Sequence, residues 1–452
     1  MTFLSQSEYW IEANFDSIVG PTHHFAGLGV GNLASRSHRD QVARPRAAAL
    51  QGIEKMRRCV RLGSRQAILP PQQRPALEML RRLGFEADDT AQLLRTAAAE
   101  APHWLHAVWS ASSMWTANAA TVSPSSACAD GKAHITIANL SSSLHRSLEA
   151  DQTFKRFRSI FRNPSFIIHP PLPTAVGLRD EGAANHMRLT DATGARGVDV
   201  FVYGSSGSDG SPPTRFFARQ SFEASRAVAR LHRLDPRSTF YLRQHPDAID
   251  AGAFHNDVVA TNHLNVWLHH EGAYWNAEET IASIEKRFES VTGEALIRHE
   301  VRHASVSRHD VVQSYLFNGQ LLSHEHEPRS MTMLCPEQVR EIPATQNLAQ
   351  TLPSQVGPLD ACEFVDLRES MNNGGGPACV RLRAPLTEAQ WLSLPEKVRW
   401  SENAADELCE AIERHYPETL AFADLVNVDL IEQSQRAVNA IERVLGLTDK
   451  SH

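Results

Sequence analysis

From end to end the chain alternates between short runs patterned as β-strands and amphipathic helical stretches, with no low-complexity linker between them. The strand-like runs are rich in β-branched residues or alternate by twos, and they occupy 134–140, 198–204, 238–244, 257–270, 314–322, 362–368 and 378–386. Asn262-His263 and Asn318-Gly319, each flanked by apolar residues, predict hairpin turns. Helices are predicted at 44–63, stopping at Gly63, at 74–85, stopping near Gly84, and at 428–446, where Leu430, Ile431, Ala437, Val438, Ile441, Val444 and Leu445 share one face. Strand pairs and helices recurring without a linker predict one α/β domain built from degenerate repeats. No fixed period reveals how many repeats there are, and a doubly wound sheet fits the same pattern. The Gly/Ser/Pro-rich stretch 203–215 reads as a surface loop rather than a boundary.

The balance of residues excludes several classes of function. A net charge of −7, with no Lys/Arg stripe, argues against a nucleic-acid partner or an anionic membrane surface. No apolar run approaches the ~18 residues of a membrane span. The opening MTFLSQSEYWIEANF lacks a basic stretch followed by an apolar one, so a cytoplasmic location is expected. Cys59, Cys128, Cys335, Cys362, Cys379 and Cys409 show no paired spacing and read as reduced thiols. Five of the six are expected to be small hydrophobes, and one to carry chemistry.

One motif points to a metal. His299, Glu300 and His303 spell H-E-x-x-H, with His309 at the position of a third zinc ligand. On a helix the first two imidazoles would share a face, and the glutamate could activate a bound water. Two details oppose this. Val306 stands where a turn-permitting glycine belongs, and EALIRHEVRHASVS alternates like a strand. A zinc hydrolase using these histidines is therefore the alternative from a different class. HEHE at 324–327 reads as an exposed polar loop.

RESMNNGGGPACVRLR (368–383) delivers a strand through three glycines and a proline, with Cys379 among the strand's first residues. Consecutive glycines let a backbone approach a ligand closely. A nucleophilic thiol needs a base and a carboxylate that orients it. His255 and Asp257, two apart, would enter one cavity from an extended segment, and Glu181 lies on the Gly/Ala-rich LRDEGAANHMR. A guanidinium is planar, cationic and resonance-stabilised, so its carbon yields only when carboxylates hold its N–H fork and a thiolate is aimed at it. Glu181, Asp257, His255 and Cys379 form a minimal set for that task.

NFDSIVGPTHHFAGLGVGNLAS (14–35), APHWLHAVWSASSMWTANAAT (101–121), HRSLEA (145–150), DEGAANHMRL (180–189), FARQ (217–220), FHNDV (254–258) and DLRESMNNGGGPAC (366–379) together resemble the N-succinylarginine dihydrolase family. The resemblance implies a pentein fold, a five-bladed α/β propeller of pseudo-fivefold ββαβ-type repeats around a central active site. It implies a single catalytic domain over 1–452, with a C-terminal helical segment of about 387–448 packed on it. It further implies a Cys379–His255–Glu181 triad, with substrate contacts from Ala26, Gly27, Leu28, Gly29, Val30, Gly31, Asn32, Leu33, Ala34, Ser35, Asn118, His145, Arg146, Arg219, Asp257 and Asn373. The implied reaction turns N2-succinylarginine and water into N2-succinylornithine, two ammonia and carbon dioxide in arginine breakdown, with no cofactor, no metal and a homodimeric assembly. A deiminase, an amidinotransferase and a non-catalytic binder on the same scaffold are the readings to separate from it.

Overall fold

The computed structural model describes residues 10–205, 214–324 and 327–448, so the tip of the predicted 203–215 loop lies outside the described residues. Its strands are β1 (Trp10–Ser17), β2 (Arg65–Leu69), β3 (Ala120–Ser123), β4 (Ala133–Ile137), β5 (Phe166–His169), β6 (His186–Thr190), β7 (Gly197–Tyr203), β8 (Thr239–Arg243), β9 (Ala260–His263), β10 (Val266–His270), β11 (Ile297–Val301), β12 (Gln320–His324), β13 (Glu327–Pro336), β14 (Leu359–Val365) and β15 (Arg381–Thr387). They make five three-stranded sheets: β15-β1-β2, β3-β4-β5, β6-β7-β8, β9-β10-β11 and β12-β13-β14.

Every sheet is wired alike. An antiparallel pair comes first, and the third strand joins the middle one in parallel. A parallel joint requires a crossover, and a helix lies in each: Pro45–Arg61, Ala150–Ile160, Phe222–Leu231, Glu278–Thr292 and Pro343–Gln355. The unit is therefore ββαβ, repeated five times. The β15–β1 pair builds the fifth unit from both ends of the chain, which rules out an open doubly wound sheet.

Local sequence explains the elements. Val198, Val200 and Val202 of β7 are all buried, as are Val266, Trp267 and Leu268 of β10, because a middle strand is covered on both faces. The helix Phe222–Leu231 is capped by Ser221, whose hydroxyl accepts from the Ala224 N–H, and it buries Ala224, Ser225, Val228 and Ala229. The C-terminal helices Glu402–His415 and Asp429–Val444 set Leu408, Ile412, Ala437 and Ile441 against Ala48, Ile53 and Met56 of the first crossover helix. Each of the Leu, Ile and Met side chains contributes roughly 1.5–3 kcal/mol on burial, the alanines less.

Two predicted turns fall elsewhere. The β9–β10 hairpin turns at Leu264-Asn265, because Asn262 is still on the strand, donating to the Arg188 carbonyl at 2.7 Å and accepting from Arg383 at 2.8 Å. Asn318-Gly319 makes no hairpin. It ends a 3-10 turn leading into β12, whose partner β13 begins only at Glu327. His324 and Glu327, expected in an exposed loop, face each other across that β12–β13 pair.

Candidate active site

The first strand of each unit is entered through a tight turn: Thr116–Asn118 before β3, Gly182–Asn185 before β6, Asn256–Val258 before β9, Leu316–Asn318 before β12, and 377–380 before β15. Neighbouring turns are bonded together. Asn118 Nδ2 donates to Glu181 O (2.6 Å), Asn256 N to Asn185 Oδ1 (3.0 Å), Asn318 Nδ2 to Asp257 O (3.2 Å), Ala378 N to Asn318 O (2.8 Å) and Ala117 N to Cys379 O (3.1 Å). These links close a ring, and equivalent positions of different units meet at its centre. Cys379 thus sits in the turn just before β15, not in the strand as its sequence suggested. A strand would tie its backbone into a ladder, whereas the turn points the thiol at its neighbours.

His255 and Glu181 are each the residue that leads into one of these turns. Their side chains meet at 2.8 Å, Nε2 to Oε2, both buried. Burial alone would raise the Glu181 pKa, but Arg146 at 3.2 Å, His255 and Arg219 hold it well below the usual carboxylate range. Burial lowers the His255 pKa to about 4 against the opposing pull of Glu181, and Nδ1 has no hydrogen-bond partner among the described residues. The ring is therefore neutral at rest, with one nitrogen committed to the carboxylate.

Cys379 Sγ lies 3.5 Å from Asp257 Oδ2 and 3.2 Å from Asn318 Nδ2. Burial, and then Asp257, push the thiol pKa well up. Burial raises Asp257 to about 6, and its buried Oδ1 has no hydrogen-bond partner among the described residues.

A cleft of about 510 Å³ reaches Cys379, lined also by Ala26, Leu28, Gly29, Asn32, Ser35, Asn118, His145, Arg146, Arg219 and Asn373 among the expected residues; Asp257 lines a separate cavity of about 940 Å³ with Asn256, Ala378 and Arg381, and Glu181 and His255 line neither. Arg219 donates to the Val30 carbonyl and stacks on Phe254, its guanidinium carbon 4.6 Å from the ring centroid. Arg146 Nε and Nη2 are buried without hydrogen-bond partners among the described residues, so a carboxylate entering the cleft would find an open fork. Asn32 holds the 373–374 backbone, donating to Gly374 O at 3.0 Å, and Ser35 donates to Asn373 Oδ1 at 3.2 Å. Gly27, Val30 and Gly31 belong to the same loop but do not line the cleft. Leu33 and Ala34 line a neighbouring groove with Tyr315, Met371 and Asn372.

Three further residues reach the site. Asn318 touches the thiol; its sequence signal was spent on the hairpin reading of Asn-Gly. Ser142 donates to Glu181 Oε1, and Gln220 accepts from the Glu181 N–H at 2.7 Å. Both stand inside stretches read for other reasons, and nothing in their spacing marks them as neighbours of Glu181.

The sequence profile described as Succinylarginine dihydrolase matches residues 9–451. The chain belongs to the succinylarginine dihydrolase family. The N-succinylarginine dihydrolase of Paraburkholderia xenovorans (strain LB400) is 45% identical over 438 residues, covering 96% of this chain and 97% of the relative. That of Yersinia pestis is 44% identical with the same coverage. Among solved structures, the substrate-bound N-terminal domain of ArgZ, an arginine dihydrolase from cyanobacteria, superposes with a TM-score of 0.51 at 13% identity, covering 82% of this chain and 97% of that one. AgrE, solved with ornithine and NAD+, gives 0.51 at 15% identity, covering 82% of this chain and 39% of its own. That likeness is one of fold, the five-unit pentein propeller.

For this succinylarginine dihydrolase family member the H-E-x-x-H reading lacks its geometric premise. His299 and Glu300 lie on β11, His303 in the turn that follows, and His309 on the helix Arg308–Ser314, so no helical face unites the first two histidines. Among the described residues no group of three or more His, Cys, Asp and Glu side chains is placed to hold a metal ion.

Proposed function

We propose that this enzyme converts N2-succinylarginine and two waters into N2-succinylornithine, two ammonia and carbon dioxide, with Cys379 as nucleophile. The observation that carries the reading is the meeting of a buried thiol, a half-satisfied buried carboxylate (Asp257) and a His255–Glu181 pair in one ring of turns. The names of the curated relatives supply the substrate class. The substrate's guanidinium lies against Asp257, and its carboxylates face Arg146 and Arg219.

The cation's arrival offsets the charge of Asp257 and lowers the cost of ionising the thiol. The thiol proton passes to neutral His255, and sulfur bonds to the guanidinium carbon. His255, its imidazolium stabilised by Glu181, protonates one departing nitrogen as ammonia. Water, deprotonated by the same histidine, breaks the carbon–sulfur bond and leaves a ureido group. A second round at that carbon expels the second ammonia and leaves a carbamate, which loses carbon dioxide.

Counting ammonia tests this against its neighbours in chemistry: two per substrate for the dihydrolase, one for a deiminase, none for an amidinotransferase. Retained ammonia release after specific blocking of Cys379 would refute the nucleophile assignment and return the metal reading to consideration, whereas substrate binding without any ammonia release would favour the binder. The reading also takes residues 1–452 as one catalytic domain acting as a cytoplasmic homodimer, which sedimentation of the purified chain tests.

A further inference from the structure

Asn318 is fully buried, and its amide is held in one orientation by the residue it serves. The Cys379 backbone N–H, shared with Gly376 O at 3.1 Å, points at Asn318 Oδ1 at 3.2 Å. That contact assigns the oxygen end, because an NH2 group there would face a donor. The donor end then faces Cys379 Sγ and the Asp257 carbonyl, each at 3.2 Å. A flipped amide would set its oxygen against both. A Cβ on Gly376 would come within 2.8 Å of Asn318 Oδ1, so the glycine admits this approach.

We propose that Asn318 stabilises the reactive thiolate of Cys379 by donating a side-chain N–H to Sγ, from an orientation fixed by the nucleophile's own backbone. An N–H bond to an anion is stronger than one to a neutral thiol, so the contact favours the ionised sulfur. Asp257 faces the same sulfur and opposes ionisation, and Arg219 and Tyr315 also couple to it, while His255 is the base assigned to its proton. Asn318 is thus the neutral donor in a site whose nearest carboxylate restrains the nucleophile. This rests on the assignment of Cys379 as nucleophile.

The test is peptide-resolved alkylation of Cys379 by iodoacetamide across pH, since Cys362 and Cys409 are partly exposed and would otherwise contribute. Asn318→Asp is nearly isosteric and turns the donor into an acceptor. It is expected to slow alkylation at neutral pH by about tenfold or more, to move the half-point up by about one pH unit or more, and to lower kcat more than it raises KM. Asn318→Ser loses the reach without adding charge, should give a smaller shift of the same sign, and serves if the aspartate variant fails to fold. Wild-type alkylation profiles in the folded variants would overturn the inference. Turnover by Cys379→Ala would instead overturn the nucleophile assignment, so the two failures are distinguishable.

Discussion

Asp257 Oδ2 sits 3.5 Å from Cys379 Sγ and disfavours ionisation of the thiol, so in the mechanism proposed above the carboxylate assigned to the substrate's cation also restrains the sulfur assigned as nucleophile until that cation arrives. The two roles separate on mutation. Asp257→Asn removes the charge that disfavours the thiolate, so Cys379 in the free enzyme should alkylate faster than wild type at neutral pH. Turnover should move the other way. A buried cation left without its carboxylate loses several kcal/mol, so kcat/KM should fall about a hundredfold or more. Parallel measurement of alkylation and kcat/KM checks this, and slower alkylation would disprove the restraint.

The same carboxylate should shape the pH profile. His255 is lowered to about 4 by burial and is neutral well above that, whereas burial raises Asp257 to about 6. Only ionised Asp257 can pair with a guanidinium. The acid limb of kcat/KM, which reports the free enzyme, should therefore fall near pH 6. A profile flat down to pH 5 would remove Asp257 from that role.

Stability follows with a defined sign. An acid raised from 3.8 to about 6 by burial costs nothing while neutral, at low pH, and its penalty grows as pH rises through that window. At pH 7 the cost is on the order of 2–3 kcal/mol. Asp257→Asn should melt higher than wild type at pH 7, with the gap closing toward pH 4.

How far the sequence carried the argument depends on the type of signal. The repeating strand-pair and helix pattern is local, so it was legible at Val198–Val202 and in the face shared by Ala437 and Ile441. The number of units was not, because the fifth joins β1 to β15 across nearly the whole chain, and no local pattern reports a pairing of Asp16 with Arg381. Glu181, His255 and Cys379 stood out through their motifs. Asn318 did not, because Asn-Gly has a strong turn meaning of its own and its contact with the thiol spans 61 residues. Leu33 and Ala34 were included by position within a motif, although their side chains face the neighbouring groove.

The metal motif gives a prediction of no effect. With His299 on β11 and His303 in an exposed turn, neither the ring of turns nor its contacts involve them. His299→Ala and His303→Ala should leave kcat/KM within about twofold, and His303→Ala, at an exposed position, should leave stability within about 0.5 kcal/mol. Chelator treatment should likewise spare ammonia release. Loss of activity in either variant would reopen the zinc reading.

The glycine run before Cys379 separates space from flexibility. A Cβ on Gly375 would lie 2.1 Å from the Trp115 ring, and one on Gly374, at φ +92°, would lie 1.9 Å from the Asn32 amide. Trp115 and Asn32 both line the cleft, so neither neighbour can yield without deforming it. Gly375→Ala should lower kcat/KM by about tenfold or more, with a melting temperature several degrees below wild type, from overpacking of roughly 1–3 kcal/mol. Gly52 is the control: it lies inside the helix Pro45–Arg61, and its Cβ would meet nothing within 4 Å. There alanine should raise stability by about 0.5–1 kcal/mol and leave turnover unchanged. If both alanines behaved alike, the cost at Gly375 would be one of chain entropy, and the close approach of this loop to Trp115 would not matter to the site.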